Sequence, residues 1–318
     1  MISPFFILFS LMAVGYISKK LNWIDNKTNE GLGNILVHIA MPSLLISSTI
    51  SLEIERQVLG DFILMTVLSI VLFFIYAIFS ILYVKILKIP QKYGSMVQLS
   101  MLSSNNGFMG FPITIAFFGN KGLLLMVANN LAMGIVLWSY GVFIIKRAKR
   151  IEEGIIESKK NTVTDFLKQI LNANVLAIII GLIIGITGFD IYIPKPVIEF
   201  LSVLGGLATP LSMIYIGATL YGSDFLALFR NPMIVGVCIT RSTVFAILTV
   251  GLVYLLPISI LMKQISFLVI TLPTAAIVPV IVGKYGTGRE GATKIVVLST
   301  LLSLVTTPLG VYIAFNIF

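Results

Sequence analysis

The sequence predicts an all-α integral membrane protein: ten transmembrane helices forming two inverted five-helix repeats, with helices 4 and 9 broken and crossing. Three observations lead there. The 318-residue chain is 58% hydrophobic and only 11% charged, with a mean hydropathy of +1.04; a soluble domain is about half apolar and about a quarter charged. Its apolar residues gather into ten runs of spanning length. Proline and glycine landmarks recur in the second half at the spacing they have in the first.

The runs cover 3–18, 31–50, 62–84, 93–118, 122–145, 171–189, 196–221, 232–256, 265–283 and 292–316, each close to the ~17–25 residues that cross a bilayer as a helix. The first has no basic start and no small-residue cleavage site, and Lys19 and Lys20 follow it; it is expected to be a retained span rather than a signal peptide. The one long polar connection, 146–170, carries KRAKR and SKK and divides a first repeat (1–145) from a second (171–318). The loops after spans 1, 3, 5, 7 and 9, with Lys294 at the start of span 10 counted to the last of them, hold 17 Lys and Arg residues and the even loops hold four. Basic loops stay in the cytoplasm, so both termini are expected outside the cell membrane. The net charge of +9 is accounted for by these loops facing membrane lipids, with no nucleic-acid partner implied.

Enzyme chemistry finds little to work with. One cysteine, Cys238, and one histidine, His38, exclude a disulfide scaffold and a thiolate or imidazole metal site, and no cofactor is implied. No phosphate loop, nucleophile elbow or HExxH pattern occurs. An intramembrane hydrolase would also need a nucleophile–base pair that the spans do not offer.

The fourth run contains SSNNGFMGFPI (103–113), loop chemistry inside a span. In lipid such a break persists only within protein or beside water. Pro42 and Pro210 are 168 residues apart; Pro112 and Pro279, like Gly119 and Gly286, are 167 apart. Five spans per half is an odd number, so the second copy must be inverted. Interrupted spans at matching places in inverted repeats are the mark of a secondary transporter with its site at the membrane midplane. The second break is expected at TLPTAAIVP, 271–279. Half-helix N-termini meeting there carry partial positive charge and N–H donors that suit a carboxylate.

Polar residues within the spans are few. Arg241 lies inside span 8, where an unpaired charge costs roughly 2.5–3.5 kcal/mol on insertion scales. It reads either as a counter-charge for an anion or as a structural group, snorkelling to the cytoplasmic face or donating to the carbonyls of a broken helix. His38, one turn before Pro42, reads as a packing residue or as a proton-coupling group. Asn129, Asn130, Thr271 and Thr274 are polar lining or interhelical hydrogen-bonders. With no carboxylate mid-membrane, transport driven by the anion's own gradient and the membrane potential is expected.

NNGFMGFP resembles the fourth span of the auxin efflux carrier family, which includes plant PIN carriers and bacterial malonate or malate permeases. LPTAAIVPVIVGKYG resembles its ninth, and GYISKKLNWID followed by HIAMPSLL is similar to its first two. The resemblance covers nearly the whole chain. It implies a scaffold of spans 1, 2, 6 and 7 that forms a homodimer, a mobile domain of spans 3–5 and 8–10, and elevator-type movement of a small organic anion. Asn105 falls where the plant carriers bind a carboxylate, and Pro112 and Pro279 match the crossover prolines. Asn106, Gly107, Pro273, Thr274 and Arg241 complete the expected substrate site. Two features depart from the plant pattern: Pro273 to Pro279 is one residue longer, and the acidic–lysine pair of span 3 has only Asp61 near it. A transporter-fold sensor or an anion channel is the alternative reading.

Overall fold

A computed structural model describes residues 2–50, 56–153, 173–285 and 288–318, and these are helical with no strand among them. In the first half, α1 (Ile2–Lys20) ends on its two lysines, which complement the negative end of the helix. α2 (Asn26–Ile35) starts on Asp25, whose carboxylate accepts from the Thr28 N–H at 2.6 Å. It continues through a π-helical turn, Leu36–Ala40, into α3 (Met41–Ile50). Pro42 explains the widened turn, because a proline cannot donate to the preceding turn and crowds its carbonyl. α4 (Arg56–Ile86), α5 (Gln91–Leu102), α6 (Phe111–Val136) and α7 (Val142–Glu153) follow.

The second half comprises α8 (Ala173–Thr187), α9 (Lys195–Gly206), α10 (Ala208–Leu220), the short α11 (Phe225–Phe229), α12 (Pro232–Tyr254), α13 (Ile260–Thr271), α14 (Val278–Tyr285) and α15 (Arg289–Ile317). Among the described residues, six helical runs are long and apolar enough to cross a membrane: 26–50, 58–86, 93–148, 195–220, 232–254 and 289–317. The apolar helices 173–187 and 260–271 are shorter. The 93–148 run has 56 residues; unbroken, it would measure about 84 Å against a hydrocarbon core of ~30 Å. It is interrupted at 103–105 and again at Gly119, whose φ of +62° leaves helical geometry. Most of the 146–170 linker, from 154 on, and Gly286, which the sequence spacing pairs with Gly119, lie outside the described residues.

The chain forms two compact units, each drawing on both halves of the sequence. The first comprises 1–65, 106–128 and 171–222. Within it α1 packs along α10, and α3 lies against α8 and α9. These contacts are made by backbone. A Cβ at Gly15 would sit on the Ile214 carbonyl oxygen, and one at Gly217 on that of Met12. Gly205 faces the backbone of Leu44 in the same way, and Gly181 faces the Thr49 side chain. Small residues let membrane helices approach this closely, and dispersion then does what water exclusion does in soluble cores.

The second unit comprises 66–105, 129–170 and 223–318. Here α12, α13 and α15 pack on one another, and α5 on α15 and α7. Polar side chains bridge its helices. The Tyr76 hydroxyl meets that of Thr249 at 2.5 Å, its ring stacked on Phe245, and the Asn129 amide donates to Ser69 at 2.9 Å. Asn129 therefore acts as interhelical glue.

Gly217→Ala should be severely destabilising, by about 1–3 kcal/mol or more, because the clash is with main chain and cannot be relieved by a rotamer. Gly134, with nothing near a built Cβ, is the control: Gly134→Ala should be neutral or gain up to about 1 kcal/mol. Size-exclusion profiles and thermal midpoints of the two variants in detergent check this.

Candidate functional site

Both spans break where their composition says they should. α5 stops at Leu102, and Ser103 has extended backbone (φ −92°, ψ 146°). Helix returns only with a π-helical turn, Asn106–Gly110, leading into α6. α13 stops at Thr271, Leu272 is extended (φ −67°, ψ 154°), and helix resumes at Val278. Pro279 occupies the second position of the resuming α14, where a missing N–H costs nothing because the first turn has no intrahelical acceptor; Pro112 is the second residue of α6, directly after the π turn.

Within the second unit the two breaks are bonded to each other: the Asn105 N–H donates to the Pro273 carbonyl at 2.8 Å. Thr274 extends the joint. Its hydroxyl donates to the Ser100 carbonyl at 3.0 Å, one of the acceptors left open where α5 ends, and its N–H donates to the Ser299 hydroxyl at 3.1 Å. Ser299 comes from α15, so three chain segments are tied at one point.

Arg241 is 3% exposed, and its guanidinium spans the C-terminal end of α13. Nη1 donates to the carbonyls of Ile270 (3.1 Å) and Leu272, and Nη2 reaches that of Val269 at 3.5 Å. The Thr306 and Thr307 hydroxyls donate to the Thr271 carbonyl at 3.1 and 2.9 Å. Of the two sequence readings of Arg241, its hydrogen bonds realise the donor to a broken helix. A cation at a helix C-terminus is also favoured by the dipole. Beside it is a cavity of about 10 Å³ bordered by Arg241, Ser242, Thr271, Pro273, Ser299 and Thr306, space for about one water. A larger cavity of about 220 Å³ lies elsewhere in the same unit, between Asp224, Asn231, Thr293 and Lys294, and involves neither break.

The expected site residues are therefore placed as follows. Asn105, Pro273, Thr274 and Arg241 are buried and joined through the two breaks of one unit. Asn106, Gly107 and Pro112 belong to the other unit. There Asn106 is fully buried, Gly107 faces Met41, and Phe108 of the same π turn stacks on Tyr215 at 4.9 Å. His38 lies in the π turn of that unit, with its side chain exposed beside Ile35 and Ile39. Sequence reasoning missed Ser103, Ser299 and the Thr306–Thr307 pair. Ser103 Oγ is fully buried with no hydrogen-bond partner among the protein atoms, an uncommon state for a buried hydroxyl.

A family model described as "Membrane transport protein" matches residues 1–311. The chain is similar to an uncharacterized transporter of Methanothermobacter thermautotrophicus, 23% identical over 303 residues covering 94% of this chain and 93% of the relative. It is also similar to an uncharacterized transporter of Methanocaldococcus jannaschii, 28% identical over 218 residues covering 67% of each.

Thr274→Val keeps the shape and removes the hydroxyl that satisfies Ser100. It should cost about 1–2 kcal/mol, since a buried carbonyl loses its partner. Thr293→Val, on an exposed face of α15, should stay within about 0.5 kcal/mol of the parent. Thermal unfolding of the two side by side provides the check.

Proposed function

From its membership of the membrane transport protein family, the auxin efflux carrier family, we propose that this multi-pass membrane protein is a secondary transporter of a small organic anion, a mono- or dicarboxylate. The chain crosses the membrane ten times in two inverted repeats, with both termini outside, and carries its substrate by elevator-type alternating access at the crossing of spans 4 and 9. The observation that carries this reading is the bond from the Asn105 N–H to the Pro273 carbonyl. Two helices broken a repeat-length apart, joined at their breaks, are the architecture in which transporters bind substrate.

Helix pairing supports the inverted repeat. α1 against α10 sets the first element of one half on the second of the other; α3 against α8 repeats that relation with the halves exchanged. The carboxylate is held by the Asn105 amide, which offers two donors without bringing charge into the bilayer, and by the Ser103 hydroxyl. The N-terminus of α14 contributes its dipole. Pro279 shapes the backbone around the site, and a homodimer through spans 1, 2, 6 and 7 anchors the scaffold while the rest moves.

Counterflow of labelled mono- and dicarboxylates in proteoliposomes tests the class: exchange is expected, and a preference for organic cations or voltage-driven unitary currents would sink it. Asn105→Ala should weaken substrate binding by about 1–3 kcal/mol, the range for a hydrogen bond to a charged group, with protein yield unchanged. Unaltered affinity in calorimetry would move the site elsewhere. Single cysteines at the termini and at 146–170 check the topology. An impermeant thiol reagent should label the termini from outside and leave the linker untouched.

A further inference from the structure

We infer that Arg241 is a tethered cation, occupying at the second break the place that a dissolved coupling cation takes in an ion-driven carrier. The inference rests on the reading of the crossing breaks as a transport site and specifies how that site is balanced electrically. In carriers built from broken helices, the unwound carbonyls and C-terminal ends of half-helices are where Na⁺ or H⁺ binds. Here that end is already occupied. Leu272, Ile270 and Val269 accept from the Arg241 guanidinium, and Thr271 accepts from Thr306 and Thr307, so four successive carbonyls are satisfied by the protein itself.

The charge is deep in the unit and without a carboxylate neighbour. Arg241 is 3% exposed, and among the described residues the ion pair recorded is Lys294–Glu290, both on α15 in the sequence after the second break. Its balance comes from carbonyl dipoles, as a bound alkali ion's would. A guanidinium suits the role because it stays protonated, is weakly hydrated and holds several donors in a fixed fork. The first break has no such group. One repeat length before Arg241 the chain carries Phe73 and Phe74, and the open carbonyl of Ser100 is met by the neutral hydroxyl of Thr274. The second break thus carries a permanent positive charge that travels with it, and a carboxylate bound nearby completes a neutral pair without an imported ion.

The test uses thermal midpoints of the purified full-length protein, a readout that does not depend on which anion is carried. The parent should unfold at the same temperature in sodium chloride and in choline chloride of equal strength. Arg241→Ala should fall by about 5–10 °C, and guanidinium chloride at low, non-denaturing concentration should recover part of that loss while leaving the parent unmoved. If Arg241→Ala does not accumulate, Arg241→Lys against Arg241→Met carries the comparison, the lysine variant being the more stable. A parent stabilised by sodium over choline overturns the proposal, as does an alanine variant that guanidinium leaves unmoved, or equal stability of the lysine and methionine variants. None of these outcomes bears on anion counterflow, so the failure of one reading is separable from that of the other.

Discussion

The structure depends on one requirement: a backbone opened inside a membrane must find partners for every N–H and C=O it exposes. Each unmet group costs several kcal/mol in hydrocarbon, so two interrupted helices are tolerable only if each answers the other. The Asn105–Pro273 bond is that answer at its centre. Around it, Thr274, Ser299, Thr306 and Thr307 supply hydroxyls and Arg241 supplies a fork of donors. The small hydroxyl residues that look unremarkable in spans 9 and 10 are the solvent for the open backbone.

The two breaks are alike in covalent plan and different in chemistry. Each has a helix ending on an extended residue and a proline as the second residue of the α-helix beyond the break. The first then presents a pair of amides and a buried hydroxyl, whereas the second presents a charge locked onto carbonyls. An inverted repeat with identical breaks would offer a substrate the same environment twice. These breaks differ in what they present, neutral hydrogen-bonding groups at one and a fixed positive charge at the other.

Much of the architecture was legible in the sequence because it rests on residues with few structural uses. Glycine, proline and paired asparagines in an apolar run have almost no reading other than an interruption, and their spacing located both breaks to within a few residues. Contacts that depend on which helix lies alongside were not legible. Gly15 and Gly217 look like any other glycines in a membrane helix until Ile214 and Met12 are set against them. Arg241 allowed two readings because a lone arginine does not announce whether its partner is a ligand or a carbonyl thirty residues later. Ser103 offered no signal, since a serine beside a break is ordinary until its hydroxyl is found buried and unmatched.

The joint between the breaks is made by main-chain atoms, and this has an evolutionary consequence. Any residue except proline at position 105 can supply the N–H, and any residue at all can supply the carbonyl at 273. That joint therefore places no demand on the identity of the side chain at 105, which answers only to the packing and bonding around it. Descendants of such a chain can drift at that position while inheriting the joint between the breaks unchanged.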